Sequence, residues 1–215
     1  MSIEERRARN RRGEGARLRE EIVEAATALL EETGSEDAIT LRGVARRAGI
    51  AAPSIYAHFP DRDAIVDAVV ERAFAELDAA LAAAVEGVDD PAARPRALCE
   101  AYVAFADERP QRYRVAFERH RRGPRGEARA LADLSGGQAF GRLVAVVAGA
   151  GNSDAGSGRN GSDDGGSGSG SPELDATALW VALHGYAVLS AGLPAFPWPD
   201  RGRMIDRILA RFSAR

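Results

Sequence analysis

Apolar residues recur at three- and four-residue spacing through most of the 215 positions, so the chain reads as a succession of amphipathic helices. Ile22, Ala26, Leu29 and Leu30 share one face of a segment from Arg17 to Thr33, and Gly34 follows in a C-cap role. The stretch from Thr40 to Phe59, TLRGVARRAGIAAPSIYAHF, predicts two short helices around a tight glycine turn. Thr40 is a suitable N-cap, Leu41, Val44, Ala45 and Ala48 form the first apolar face, and Gly49 turns the chain. The second helix is expected over Ala52 to Phe59, with Pro53 tolerated in its first turn and Ile55 and Phe59 facing inward. Ser54, Tyr56, Ala57 and His58 are left to face outward.

Beyond this pair, Pro60 and Asp61 start a longer helix to about Val85, with Ile65, Val69, Ala73, Leu77 and Leu81 as its buried stripe. Two aspartates and two prolines between Gly87 and Pro95 mark a boundary. Leu98, Ala101, Tyr102 and Phe105 then form a stripe, a turn falls at Glu108 to Pro110, and Tyr113, Ala116 and Phe117 suggest a short helix. Another helix is expected from about Gly126 to Ala148, with Gly136 and Gly137 as a kink or a point of close approach. Residues 149–171 have the glycine- and serine-rich composition of a flexible loop. Ser171 and Pro172 restart helix as N-cap and first residue, running to about Ala191. Three prolines precede a last helix carrying Met204, Ile205, Ile208, Leu209 and Phe212.

Composition narrows what such helices can serve. Hydrophobic residues make up 45% of the chain, enough for a core, and the formal charge of −3 excludes a histone-like polycation. Positive charge is local: residues 1–12 hold five arginines against two glutamates, in an aperiodic arm over 1–16 expected to be disordered. That arm either meets DNA backbone or minor groove or stands as a solvated tail. The single Cys99 allows no internal disulfide, and no secretory or membrane-spanning run is evident, so a cytoplasmic protein is expected.

The run Ser54-Ile55-Tyr56-Ala57-His58-Phe59-Pro60-Asp61-Arg62-Asp63-Ala64, with Ala25-Ala26, Leu29, Gly34, Thr40 and Ala48-Gly49-Ile50 before it, resembles the TetR/AcrR-type transcription regulators. The likeness covers roughly residues 17–77. Two positions depart from it: Ala51 stands where the family usually caps the second helix with serine or threonine, and Arg62 replaces the usual lysine. Further on, Trp180, His184 and Gly185, with Tyr102, Phe105, Ala106, Pro110 and Tyr113, resemble the WHG-type C-terminal domain of a subset of these regulators, over roughly 88–215.

The resemblance implies an all-α fold: a three-helix DNA-binding domain (17–77, motif 40–59), then a helical effector-binding and dimerisation domain. It also implies a homodimer on a palindromic operator in double-stranded DNA. The last two helices, at 172–191 and 200–213, would form the dimer bundle, with Met204, Ile208 and Phe212 as seam residues. The expected function is that of a repressor released by a small apolar effector; a non-specific DNA binder is the alternative. Arg42, Ala52, Pro53 and Ser54 are assigned to base edges, and Thr40, Tyr56, His58 and Arg62 to phosphates.

Effector-pocket candidates are Tyr102, Phe105, Tyr113, Phe117, Trp180 and His184, core residues first, since small-molecule sites are largely apolar. The helix around Trp180 is apolar on two adjoining sides, which calls for burial against both a cavity and a second subunit. Gly185 is expected to allow close helix packing.

Little else suggests chemistry. Gly156, Gly158 and Gly161 fit GxGxxG, but a low-complexity tract follows where a βαβ unit is needed, so a nucleotide-binding enzyme is the remote reading. His58, His120 and His184 form no metal-ligand pair, and no catalytic nucleophile motif is present, so neither metal, cofactor nor enzyme activity is expected.

Overall fold

A computed structural model describes residues 14–119, 136–154 and 171–211. The basic arm, the arginine cluster around His120, most of the glycine-serine tract and Phe212 lie outside the described residues. Helix α1 is Glu14–Thr33, α2 Leu41–Ala48, α3 Arg62–Glu86, α4 Arg94–Glu108, α5 Pro110–Arg119, α6 Gly137–Asp154, α7 Pro172–Gly192 and α8 Arg201–Leu209. No strand occurs among the described residues. The chain divides into two compact units, 1–72 with 114–122 and 73–113 with 123–215. Helix α3 runs unbroken through the boundary between residues 72 and 73.

In the first unit, α1 packs on α2 and buries Ile22, Val23, Ala26 and Leu30. The buried Thr27 hydroxyl is satisfied by donating to the Val23 carbonyl one turn back, at 2.8 Å. Gly34, at φ 68°, ends the helix and donates to Leu30 O, as its C-cap role predicts. Thr40 caps α2 by accepting from Gly43 N–H at 3.0 Å, and Gly49 ends it in the left-handed region at φ 69°. Asp61 caps α3, its Oδ1 accepting from Ala64 N–H at 2.8 Å.

The second unit packs α4 against α6, α7 and α8, and α6 against α7. Leu98, Cys99, Tyr102 and Phe105 are buried on α4, and Ala176, Leu179, Leu183 and Ala187 make the buried face of α7, which packs against it. Gly136 is a close-approach point as predicted: a Cβ there would fall 2.8 Å from Phe74 Cε1. The expected loop, by contrast, begins too early in the sequence reading, because α6 continues through Gly149 to Asp154. Once a helix is nucleated and packed, each added residue closes a hydrogen bond, and a glycine costs only about 1 kcal/mol against that.

Candidate nucleic-acid interface and a buried hydrogen-bond chain

The glycine turn at Gly49 hands the chain to residues 52–59. Ile55 and Phe59 are buried as anchors, while Pro53, Ser54, Ala57 and Tyr56 (59% exposed) face solvent, and Ala52 and His58 are half-buried. This segment is a 3-10 helix over Ala52–Ala57, not the α-helix that periodicity predicts. The cause is local. Ala51 has the extended backbone of an N-cap but offers no side-chain acceptor, and Pro53 carries no N–H. The end therefore tightens into i→i+3 bonds such as Ser54 N to Ala51 O, at 2.9 Å. The Arg19 guanidinium from α1 covers the Phe59 ring at 4.9 Å and holds the far end of the segment down.

On α2, Arg42 is exposed, as is Arg46 one turn later on the same face. Arg46 is absent from the sequence-based assignment, though its four-residue spacing from Arg42 was there to be read. Arg47 differs: its Nη1 donates to both carboxylate oxygens of Glu32, at 2.6 and 2.7 Å, and ties α2 to α1. Thr40 is exposed while capping α2, and the cap requires Gly43, where a Cβ would fall 2.9 Å from Thr40 Oγ1. Arg62, expected at a phosphate, is engaged within the chain. Its Nε donates to Ile39 O at 2.8 Å and its Nη2 to Glu36 O at 2.7 Å.

In the second unit four of the six pocket candidates come together. Tyr102 and Tyr113 are buried with their hydroxyls 2.9 Å apart, and Tyr113 Oη lies 2.7 Å from His184 Nδ1. Trp180 Nε1 lies 3.2 Å from Tyr102 Oη. The indole N–H can only donate, so Tyr102 Oη accepts from Trp180, while the bonds of Tyr102 with Tyr113 and of Tyr113 with His184 Nδ1 take their direction from the imidazole tautomer. Burial pushes the Tyr102 phenol up to about 12, against the lowering effect of its bonds with Tyr113 and Trp180. Tyr113 is raised further, by burial and by the neighbouring Tyr102. Phe140 adds an edge-on contact to Trp180, with centroids 6.3 Å apart, and was missed because one aromatic in a helical run carries no directional signal. Phe105 is buried in α4 with the Arg109 guanidinium over its ring. Phe117 falls in the other unit and does not join the chain of hydroxyls. Cys99 is buried and its thiol is pushed up to about 12, so it is poorly suited to thiolate chemistry at neutral pH.

The outward side of α7 is apolar as well. Two residues along a helix turn the side chain by about 200°, so Val181 lies opposite Leu179 and Leu183. Leu174, Val181 and Val188 are exposed in a row, with Ala178, Gly185 and Gly192 interleaved at three- and four-residue spacing. Helix α7 is the one described helix long and apolar enough to cross a membrane, yet only 22% of its apolar window is buried. The close packing expected at Gly185 is not made among the described residues, where a Cβ would meet nothing within 4 Å.

A capped helix, a left-handed glycine and an anchored second segment with an outward polar face define a helix-turn-helix DNA-binding protein. The family model "Tetracyclin repressor-like, C-terminal domain" matches residues 95–212, more than half of the chain. That for "Bacterial regulatory proteins, tetR family" matches residues 22–69. The chain belongs to the TetR family of DNA-binding transcriptional regulators.

Among solved structures, a protein of unknown function from Rhodococcus sp. RHA1 is 27% identical, with a TM-score of 0.70 over 91% of this chain and 93% of that one. SmeT, the repressor of the Stenotrophomonas maltophilia multidrug efflux pump SmeDEF, shares 22% identity and a TM-score of 0.59 over 90% and 89%. The TetR family regulator PfmR from Thermus thermophilus shares 19% identity and a TM-score of 0.56 over 89% and 94%. The latter two show the common fold. No curated protein matches the chain.

Proposed function

We propose that this regulator is a cytoplasmic, homodimeric repressor that binds a palindromic operator and is released by a small, mainly apolar effector. The observation that carries the DNA half is the division of residues 52–59, with Ile55 and Phe59 anchored and Pro53, Ser54 and Tyr56 turned outward. Arg42, Ala52, Pro53 and Ser54 read base edges, while Thr40, Tyr56 and His58 hold phosphates. The two segments of a dimer enter successive major grooves on the order of 34–36 Å apart. TetR-family regulators act as dimers, and the uncovered face of α7 supports it as the seam here, joined by Met204 and Ile208, half-buried on α8.

The effector half rests on the chain Trp180–Tyr102–Tyr113–His184, a set of polar groups set in an otherwise apolar core. A molecule that binds one conformation better shifts the population toward it, by no more than its differential affinity. Helix α3, continuous between the two units, carries the change to the recognition segment. That SmeT is a repressor on the same fold favours repression over activation.

The test is a gel shift with duplexes from the region upstream of its own gene, titrated with salt and with competitor DNA. Tyr56→Phe should weaken every duplex alike, whereas Arg42→Ala should relax preference at particular bases. Equal losses on every operator variant would overturn this division of labour, and binding abolished by any competitor would mark a non-specific binder.

A further inference from the structure

Arg62 opens α3, immediately after the helix-turn-helix, where an arginine could serve a phosphate as a plain cation. Its surroundings argue for something else. The side chain is only 32% exposed, and its fork donates to two backbone carbonyls, Ile39 O at 2.8 Å and Glu36 O at 2.7 Å. These carbonyls lie 23 and 26 residues earlier in sequence, in and just after the 3-10 turn Glu36–Ala38. Ile39 is fully buried, and the residue after it, Thr40, is the N-cap of α2. One guanidinium therefore ties the start of α2 to the start of α3, the two ends of the motif that hold residues 52–59 between them.

Charge points the same way. Three carboxylates surround the guanidinium: Glu36 at 3.6 Å, Asp37 at 3.7 Å and Asp63 at 3.4 Å. The cation is outnumbered, so a phosphate approaching it would meet net negative charge. Asp37 and Asp63 are themselves well exposed, which puts that negative charge at the surface where the phosphate would arrive.

We propose that Arg62 is a positioning residue for DNA recognition, which fixes the spacing between the α2 cap and the α3 start and makes no phosphate contact. A lysine does not reproduce the clamp, because the two carbonyls are met by two separate nitrogens of one rigid fork, Nε and Nη2, where lysine has a single nitrogen on a flexible stem. The inference rests on residues 52–58 being the DNA-reading surface, and its test includes an arm that needs no DNA.

Wild type, Arg62→Lys and Arg62→Gln are compared by amide exchange of the free protein and by salt-titrated binding. The two duplexes are the tightest upstream one and one of arbitrary sequence. Exchange at residues 36–41 should speed up in both variants. Affinity for the specific duplex should fall roughly tenfold or more in both. Affinity for the arbitrary duplex, and the slope of log K against log salt, should stay at wild-type values under conditions where circular dichroism shows all three folded.

A phosphate contact predicts otherwise: Arg62→Gln lowers the slope by about 0.9 per protomer, while Arg62→Lys restores both slope and affinity. Either result overturns the proposal, as does unchanged exchange at 36–41. If wild type prefers no duplex, the assignment of the reading surface fails, while the exchange arm still judges the clamp.

Discussion

Val181→Asp puts a charge at the middle of the outward face of α7. Leu174, Val181 and Val188 are 64%, 58% and 48% exposed in the single chain. Burying a valine or leucine completely is worth roughly 1.5–3 kcal/mol. Covering about half of each in both copies gives on the order of 4–9 kcal/mol of gross apolar gain at the seam. The substitution removes about a third of that gain and sets two carboxylates across a two-fold axis, each costing several kcal/mol if it stays buried and unpaired. The loss matches the whole gross gain, so the dimer should come apart, with no intermediate weakening.

The monomer should tolerate the change, because Val181 lies opposite the buried Leu179 and Leu183 and touches solvent in the isolated chain. Light scattering behind size exclusion at micromolar concentration should report a monomer, with the helical circular dichroism of wild type. The salt slope of DNA binding should drop to about half, since one head neutralises half the phosphates. A variant that remains dimeric at wild-type affinity would show that α7 is not the seam and that another face joins the copies.

Three further outcomes follow from single contacts. Tyr113→Phe removes the hydroxyl that bonds both Tyr102 and His184, so it should lower stability by about 1–3 kcal/mol in a denaturant titration. An unchanged midpoint would mean that these bonds are not formed in solution. The raised phenol of Tyr102 sets a pH window: its contribution is complete below the ordinary value of 10.0 and is lost as pH climbs through about 12, with Tyr113 raised in the same direction and further. A spectrophotometric titration in which all four tyrosines ionise together near 10 would contradict it. Ala51→Ser supplies the missing cap at a position whose backbone is already extended and exposed, and should stabilise the protein by about 0.5–1 kcal/mol while tightening operator binding. Stabilisation without tighter binding would show that the 3-10 form is the one DNA selects.

The sequence by itself determined whatever is settled within a turn or two of chain. Thr40 and Asp61 cap because their oxygens reach an N–H three residues on, Gly34 and Gly49 end helices because they accept positive φ, and the α3 stripe from Ile65 to Leu81 is buried because its spacing keeps one face. Ala51 was already visible as the uncapped start of the second helix, whereas Pro53 reads from sequence as tolerated in its first turn, and how far the two tighten the segment depended on the folded backbone.

Tertiary structure decided what joins distant residues. Tyr113 meets His184 across 71 positions, Trp180 meets Tyr102 across 78, and Arg62 finds carbonyls 23 and 26 residues back. No periodicity encodes such pairs, because hydrogen bonds between helices are set by how whole faces pack. The two faces of α7 show the same limit. Composition made it apolar on more than one side, but only packing shows which residues turn inward and which row stays exposed.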